Sequence, residues 1–542
     1  MSSDRIEEAA RHHQAGRLDD AARLYAAILA DAPENADVLH RLGAIALQRG
    51  DGDEAARHLE NAARLRPNDA HIHYNLGVAN QATSRDEDAA DAFRRAIQIE
   101  PGYAAAHVNL GRLHLGRGDR DGAILCFKRA VAADDGLAEA HFNLGEALRE
   151  TGRLDDEIAC YERAIERNPG LVAAFVNLGI ALREQGWPGP AETSLRQALD
   201  LDPDNGPAKT RLGLVLMELG RLDEAAAAIL EPARRLRAVG VGNGTAETFR
   251  RTNPTKLESD GEQLRHLVEG GMIDASFADI ADECDRMSAA WDEPAVGDAG
   301  EFPLSPSRRF TDTYNRMVHL AEVPAVTGPA INPDLDEAAV AAAFGEGAPG
   351  LTHIDDFLTD DALAGLQRFC RDSTVWHQMQ FPGELSASLP NGFCSPLFLQ
   401  VARDIRLALP SVFGEHLLTT FWAYKYFGSS SGIETHADRG AFSVNLWITP
   451  DEANRNPSGG GLVLWDRLAP NDYFGAPRDR QGEMLKELVE DPTAKAITVP
   501  YRCNRAVLFR SNVIHRTDDL DFEPGINNRR INVTFIYGYP DS

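Results

Sequence analysis

Apolar positions along this chain follow two different rhythms. From the first residues to about residue 237 they recur at helical spacing, and the whole pattern repeats every 34 residues. Leu-Gly stands at Leu42-Gly43, Leu76-Gly77, Leu110-Gly111, Leu144-Gly145, Leu178-Gly179 and Leu212-Gly213. A bulky residue recurs in the second helix of each unit, at Tyr25, Leu59, Phe93, Phe127, Tyr161, Leu195 and Ile229. Gly16, Gly50, Gly118, Gly152, Gly186 and Gly220 fall at mid-unit, with Ser84 as the exception. Pro33, Pro67, Pro101, Pro169 and Pro203 close the units, and only Asp135 breaks that series. The pattern predicts pairs of helices. The glycine after leucine admits close approach, the mid-unit glycine makes the turn, and proline stops the second helix. One pair cannot bury its own apolar face, so neighbours must stack into an α-solenoid.

After Leu236 the period is lost. AVGVGNGTAE, residues 238–247, reads as a linker. Residues 256–291 carry Leu264, Leu267, Val268, Ile273, Phe277 and Ile280 at helical spacing, and Glu322 to Pro333 reads as extended chain. Residues 238–345 therefore read as a linker and a short helical brace, with no catalytic signal. From about residue 346 the rhythm becomes that of short strands: FWAYKYF (421–427), FSVNLWI (442–448), GLVLW (461–465), AVLF (506–509) and INVTFIYG (531–538). A helix fits 359–371. The expected architecture is multidomain: an all-α solenoid over residues 1–237, then a β-rich jelly roll (double-stranded β-helix) with flanking helices over 346–542.

Composition narrows the function. A formal charge of −28 over 542 residues disfavours a nucleic-acid partner, because a phosphate backbone attracts clustered cations. The N-terminal MSSDRIEEAARHHQAGRLDD has neither a basic nor an apolar region of the secretory kind, and no run is long enough to cross a membrane. The chain reads as cytoplasmic. Its cysteines, Cys126, Cys160, Cys284, Cys370, Cys394 and Cys503, form no CxxC pair and read as free thiols.

The strand region carries the candidate chemistry. Thr435-His436-Ala437-Asp438 lies between two predicted strands, and His515 sits on a late one. Two imidazoles and a carboxylate on one face of a metal leave three positions open, the ligand set of non-haem iron(II) oxygenases. Arg530 follows at the start of the last strand, where a guanidinium can grip a carboxylate bidentately. A second His-x-Asp, His353-Ile354-Asp355, precedes the strand-rich core and reads as structural. These residues resemble the 2-oxoglutarate- and iron(II)-dependent oxygenases, nearest to the prolyl-hydroxylase-like branch, over about 190 residues.

The resemblance implies an Fe(II) centre held by His436, Asp438 and His515, with 2-oxoglutarate and O2 as cosubstrates. Arg530 would hold the far carboxylate of 2-oxoglutarate. Asn532 stands where that family has Ser, which alters the second contact. Tyr426 fits the tyrosine that the family places before the proximal histidine. Asn445 and Trp447 alternate on the following strand and are expected to face the pocket. The polar stretch around 466–498 lengthens the gap between Asp438 and His515, as a lid or as a solvated insertion.

The N-terminal pattern resembles the tetratricopeptide repeat family over some 235 residues, in about seven units. That resemblance implies a protein or peptide partner in a groove lined by first helices. Asn75, Asn109, Asn143 and Asn177 recur there, and an amide ladder could hydrogen-bond an extended peptide; a similar ladder is a feature of the repeats in O-linked N-acetylglucosaminyl transferases, and a solvated consensus position is the alternative. Three functions are compatible with these readings: hydroxylation of a protein or peptide recruited by the repeats, hydroxylation of a small molecule, or a binding scaffold whose oxygenase domain is inactive.

Overall fold

The structure, a computed structural model, describes residues 2–237 apart from 150 and 152, then 252–291, 304–346, 350–379, and 383–538 apart from 428, 431, 432, 471, 472 and 477. The linker 238–247 and Gly152 lie outside the described residues. The described residues include no helix long and apolar enough to cross a membrane.

Fourteen described helices, from Ser2–Gln14 to Leu222–Arg237, fill the repeat region. The glycines of the Leu-Gly pairs are sockets for the bulky residues of their own units. A Cβ at Gly77 would meet Phe93 at 2.5 Å, one at Gly111 would meet Phe127 at 2.6 Å, and one at Gly145 would meet Tyr161 at 2.7 Å. Helices in contact at that range have no room for a methyl group. The mid-unit glycines adopt the left-handed conformation, with φ of 78° at Gly50 and 76° at Gly118. Ser84 takes the same conformation, at 57°, without being glycine. Gly111→Ala should therefore destabilise the repeats by about 1–3 kcal/mol through overpacking, read as a lowered denaturation midpoint. An unchanged midpoint would mean that Phe127 can swing aside freely.

The chain divides into two compact units, Met1–Ala181 and Leu182–Ser542. The repeat period runs past that division to residue 237. In the second unit the helices Gly206–Glu218 and Leu222–Arg237 pack against the helix Pro396–Ala408. Glu218 accepts from both Arg183 and Arg406, at 2.9 and 3.1 Å, and Arg183 also donates to the carbonyl of Leu418.

The middle segment bonds to the region that follows it. Helix Pro254–Glu269 sends Gln263 to the carbonyls of Arg371 and Ser373, at 2.9 and 2.6 Å, and His266 to the Asp372 carboxylate at 2.9 Å. Glu322 to Pro333 is extended, as its prolines dictate, and is pinned by Gln400 and Asp404, which accept from the N–H groups of Val326 and Ala330.

The strands are β1 (Leu351–Ile354), β2 (Glu384–Ser388), β3 (Leu418–Tyr426), β4 (Ser429–Ser430), β5 (Phe442–Trp447), β6 (Leu462–Leu468), β7 (Ala496–Val499), β8 (Ala506–Arg510), β9 (Val513–Thr517), β10 (Leu520–Asp521) and β11 (Ile531–Tyr537). Six make one sheet, in the order β1-β8-β5-β11-β3-β2; three make a second, β7-β6-β9; β10 pairs with β4. Every pairing is antiparallel. One face of the large sheet stacks Phe421 and Phe535 toward the helices, with Phe398 lying parallel on Phe421. The other face carries Tyr426, Trp447, Val507 and Phe509 into a core shared with Leu462, Leu464 and Val513 of the second sheet. The helix predicted at 359–371 is Asp360–Asp372. The second His-x-Asp lies partly in β1, the edge strand of the large sheet, not ahead of the strand core as expected. Its carboxylate is structural: Asp355 accepts from Arg505 at 2.5 and 3.0 Å and from Arg502 at 2.8 Å.

Candidate metal centre

Backbone pairing brings the two histidines together. The segment after β4 runs beside β9, and His436 and His515 exchange N–H···O bonds of 2.9 Å in both directions. Directly paired residues share a face, so their rings meet at 4.3 Å between centroids. Asp438, two residues on, returns to that face, and its N–H donates to the carbonyl of Ser511 at 2.8 Å. Asp438 Oδ1 lies 3.9 Å from His436 Nε2, and its Oδ2 lies 3.8 Å from His515 Nε2. One donor atom from each of the three falls within 4.8 Å of the others, and no other such group of three or more His, Cys, Asp or Glu occurs among the described residues.

The surrounding bonds prepare these atoms for a cation. His436 Nδ1–H donates to the Glu434 carbonyl at 2.8 Å, and His515 Nδ1–H donates to the Val513 carbonyl at 2.9 Å. Each bond fixes the tautomer that leaves Nε2 with a free lone pair. Burial, helped by the neighbouring His436, holds the His515 imidazole down at about 4 against the opposite pull of Asp438, so it is neutral near pH 7. Ser443 donates to Asp438 Oδ2 at 2.9 Å and lies 2.9 Å from the Ser511 hydroxyl. Two imidazoles presenting Nε2 and an oriented carboxylate form a donor set suited to a divalent transition metal.

The outward-facing residues of the same turns carry the insertion. Ala437 and Ile514 pack with Ala469, Tyr473 and Leu485, the last on helix Arg478–Val489. Burial raises the Tyr473 hydroxyl above its ordinary range. This part of the 466–498 stretch thus forms a packed cover on the turn that carries His436 and Asp438.

Arg530, expected to open the last strand, stands one residue before β11 and is fully buried. Its Nε and Nη2 donate to the carbonyls of Gly460 and Gly461, at 2.7 and 3.3 Å. Tyr426, Trp447 and Tyr501 surround the guanidinium, with ring centroids 4.9, 5.7 and 5.9 Å from Cζ. Among the described residues Nη1 has no hydrogen-bond partner, and no carboxylate lies within ion-pair distance. An unpaired buried cation is costly, and burial lowers its proton affinity. The Tyr426 hydroxyl meets Thr517 at 3.3 Å.

Asn445, Trp447 and Asn532 share the inner face of the large sheet with Thr534, as strand alternation requires. Thr534 donates to Asn445 at 2.8 Å, and Asn532 donates to Thr534 at 3.4 Å. The Asn532 Oδ1 and the Trp447 Nε1 remain without partners among the described residues. Ser443, Ser511, Tyr501 and Glu384 are additions that sequence reasoning did not single out. Ser443 is the inward position two residues before Asn445, so strand alternation alone could have found it. Tyr501 lies between strands and had no periodic signal.

The repeat asparagines are partly engaged within the array. Asn75 donates to His40 at 2.7 Å, Asn109 to the Tyr74 hydroxyl at 3.3 Å and Asn177 to Glu146 at 3.5 Å. Asn143 is buried and donates to the carbonyl of Glu139 in its own helix at 2.7 Å.

Comparison with known proteins identifies the helical part. Residues 7–56, 40–104, 108–172 and 176–237 match the family described as tetratricopeptide repeat. The helices up to residue 237 are a tetratricopeptide repeat array. Solved structures similar to the chain include MamA, at 27% identity over 30% of this chain and 94% of that one, with a TM-score of 0.28. YrrB, described as a TPR protein with an unusual peptide-binding site, matches at 22% identity over 34% and 95%, with a TM-score of 0.30. A thermophilic TPR protein of Thermus thermophilus matches at 25% identity over 34% and 100%, with a TM-score of 0.29. No curated protein matches the chain.

Proposed function

We propose that residues 346–542 are an iron(II)- and 2-oxoglutarate-dependent oxygenase on a double-stranded β-helix, and that the repeats recruit a protein or peptide for hydroxylation. The observation that carries this reading is the convergence of His436, Asp438 and His515, each pre-set by a backbone or hydroxyl partner. The strand order supports the fold. The chain crosses between the two sheets at β5–β6, β7–β8 and β8–β9, with β6 and β7 successive in the smaller one, a path that supports a jelly roll.

His436 Nε2, Asp438 and His515 Nε2 would hold the metal, and Arg530 Nη1 would take the distal carboxylate of 2-oxoglutarate. The bound iron, with 2-oxoglutarate and O2, would supply the oxidising power for hydroxylation. This chain's part is positional. Ser443 and Ser511 keep the Asp438 carboxylate turned to the histidines. Tyr426, Trp447 and Tyr501 keep water from the guanidinium, which strengthens its hold on an anion. Asn445, Asn532 and Thr534 line the floor with orientable polar groups.

The test is paired. The purified chain with iron(II) should turn over 2-oxoglutarate without substrate, and a cell extract should yield a peptide that has gained an oxygen atom. No turnover under any condition would leave the repeats as a scaffold joined to an inactive domain. The repeats' share is tested by replacing Asn75, Asn109 and Asn177 together with Ala. At about 0.5–1.5 kcal/mol per lost hydrogen bond, three substitutions should cut substrate hydroxylation tenfold or more. Substrate-free turnover should stay at the wild-type level. Undiminished hydroxylation would favour a small-molecule substrate.

A further inference from the structure

Glu384 opens β2 directly opposite Tyr426 of β3, so both side chains project from the same face of the large sheet. That face holds the Arg530 guanidinium against the Tyr426 ring. Glu384 is 2% exposed, yet neither of its carboxylate oxygens has a hydrogen-bond partner among the described residues. No cation stands within ion-pair distance of it among the described residues.

The titratable groups that reach it are Arg530 and Tyr426. The helix Pro254–Glu269 also packs against β2, but its charges are taken up elsewhere. Lys256 pairs with Asp260, and Arg529 pairs with Glu258 and Glu262. An ionised carboxylate in such a place would have lost its water and gained nothing in return. The stable form carries a proton.

We propose that Glu384, as a neutral acid, donates a hydrogen bond to the carboxylate that Arg530 binds. The inference rests on the oxygenase reading above. It also accounts for two sets of unpaired atoms together. Arg530 Nη1 offers a donor without an acceptor, and Glu384 offers a proton without an acceptor. A carboxylate between them satisfies both, whereas a cationic ligand would satisfy Glu384 alone and be repelled by Arg530.

Burial raises Glu384 to about 8, with Arg530 pulling the other way. Below that value the proton is present and the bond can form. Above it the residue becomes an anion facing an anion, so affinity must fall as pH rises. Tyr426, pushed up to about 12 by burial, stays neutral across this range.

The experiment measures 2-oxoglutarate binding to the full iron(II)-loaded chain without oxygen, by tryptophan fluorescence, from pH 6.5 to 9. The wild-type Kd should be flat to about pH 7 and about tenfold weaker at pH 9. Glu384→Gln, whose amide donates but does not titrate, should bind within about threefold of wild type at pH 7 and show no alkaline loss. The same alkaline loss in both proteins would overturn the proposal while leaving the oxygenase reading intact. So would a tenfold loss in Glu384→Gln at pH 7, because that result requires an ionised carboxylate. A wild type that binds no 2-oxoglutarate at any pH would overturn both.

Discussion

Asp438→Ala should abolish iron(II) binding and lower 2-oxoglutarate turnover by more than about 100-fold, since losing even a residue that merely supports a metal ligand costs about 10- to 100-fold. The carboxylate is the only anionic donor of the three, so its loss removes the charge that offsets the cation. It also strands Ser443, which donates to Asp438 Oδ2 at 2.9 Å. The fold should survive. Asp438 is tied to its neighbours chiefly through its backbone N–H to Ser511, which alanine keeps. The decisive measurement combines metal content with melting temperature: an apo protein with a near-wild-type Tm is expected. Full metal occupancy in Asp438→Ala would place the centre elsewhere on the chain.

Arg530→Met should weaken 2-oxoglutarate by about 30-fold or more, because losing a buried charged hydrogen bond costs about 2–5 kcal/mol. Metal content should be unchanged. The same substitution should leave the unliganded protein as stable as wild type or more so. Arg530 is buried against three rings with no counter-ion, and an apolar chain of similar size removes that cost. Opposite movements of affinity and Tm distinguish a ligand-binding cation from a structural one. Arg529 gives the contrast. It is paired with Glu258 and stacked 4.4 Å from the Phe427 ring, so Arg529→Ala should lower Tm and spare cosubstrate affinity. If the two variants exchange these behaviours, the anion lies on Arg529.

The repeats were legible in the sequence because each constraint acts within one unit. The glycine that needs no side chain and the bulky residue that fills its place, such as Gly77 and Phe93, are sixteen residues apart on adjacent helices. His436, Asp438 and His515 were legible as residue types in order, and strand alternation put Asn445 and Trp447 on one face, which their pairing with Thr534 and Asn532 shares. What stayed hidden depends on partners distant in sequence. β1 is four residues long and only half-buried, and it exists through its pairing with β8, about 155 residues later. Without β1, His353-Ile354-Asp355 had no strand to belong to. Glu384 was missed because β2 was missed, and nothing local marks an acid whose meaning comes from Tyr426 and Arg530.

The helix Leu222–Arg237 has a practical consequence for anyone who would cut this protein. By period it closes the repeats, yet in three dimensions it roofs the helix Pro396–Ala408. Ala226, Ile229, Leu230 and Ala233 are each 5% exposed or less. Severing the chain at residue 237 would leave part of that helix's apolar side, and the helix Pro396–Ala408 that it packs on, without cover. Shuffling at repeat borders, the usual route by which such arrays gain or lose units, should be tolerated at the N-terminal end and resisted here. The last repeat belongs by its period to the array and by solvent exclusion to the strand domain, so a cut at that border should cost both parts solubility.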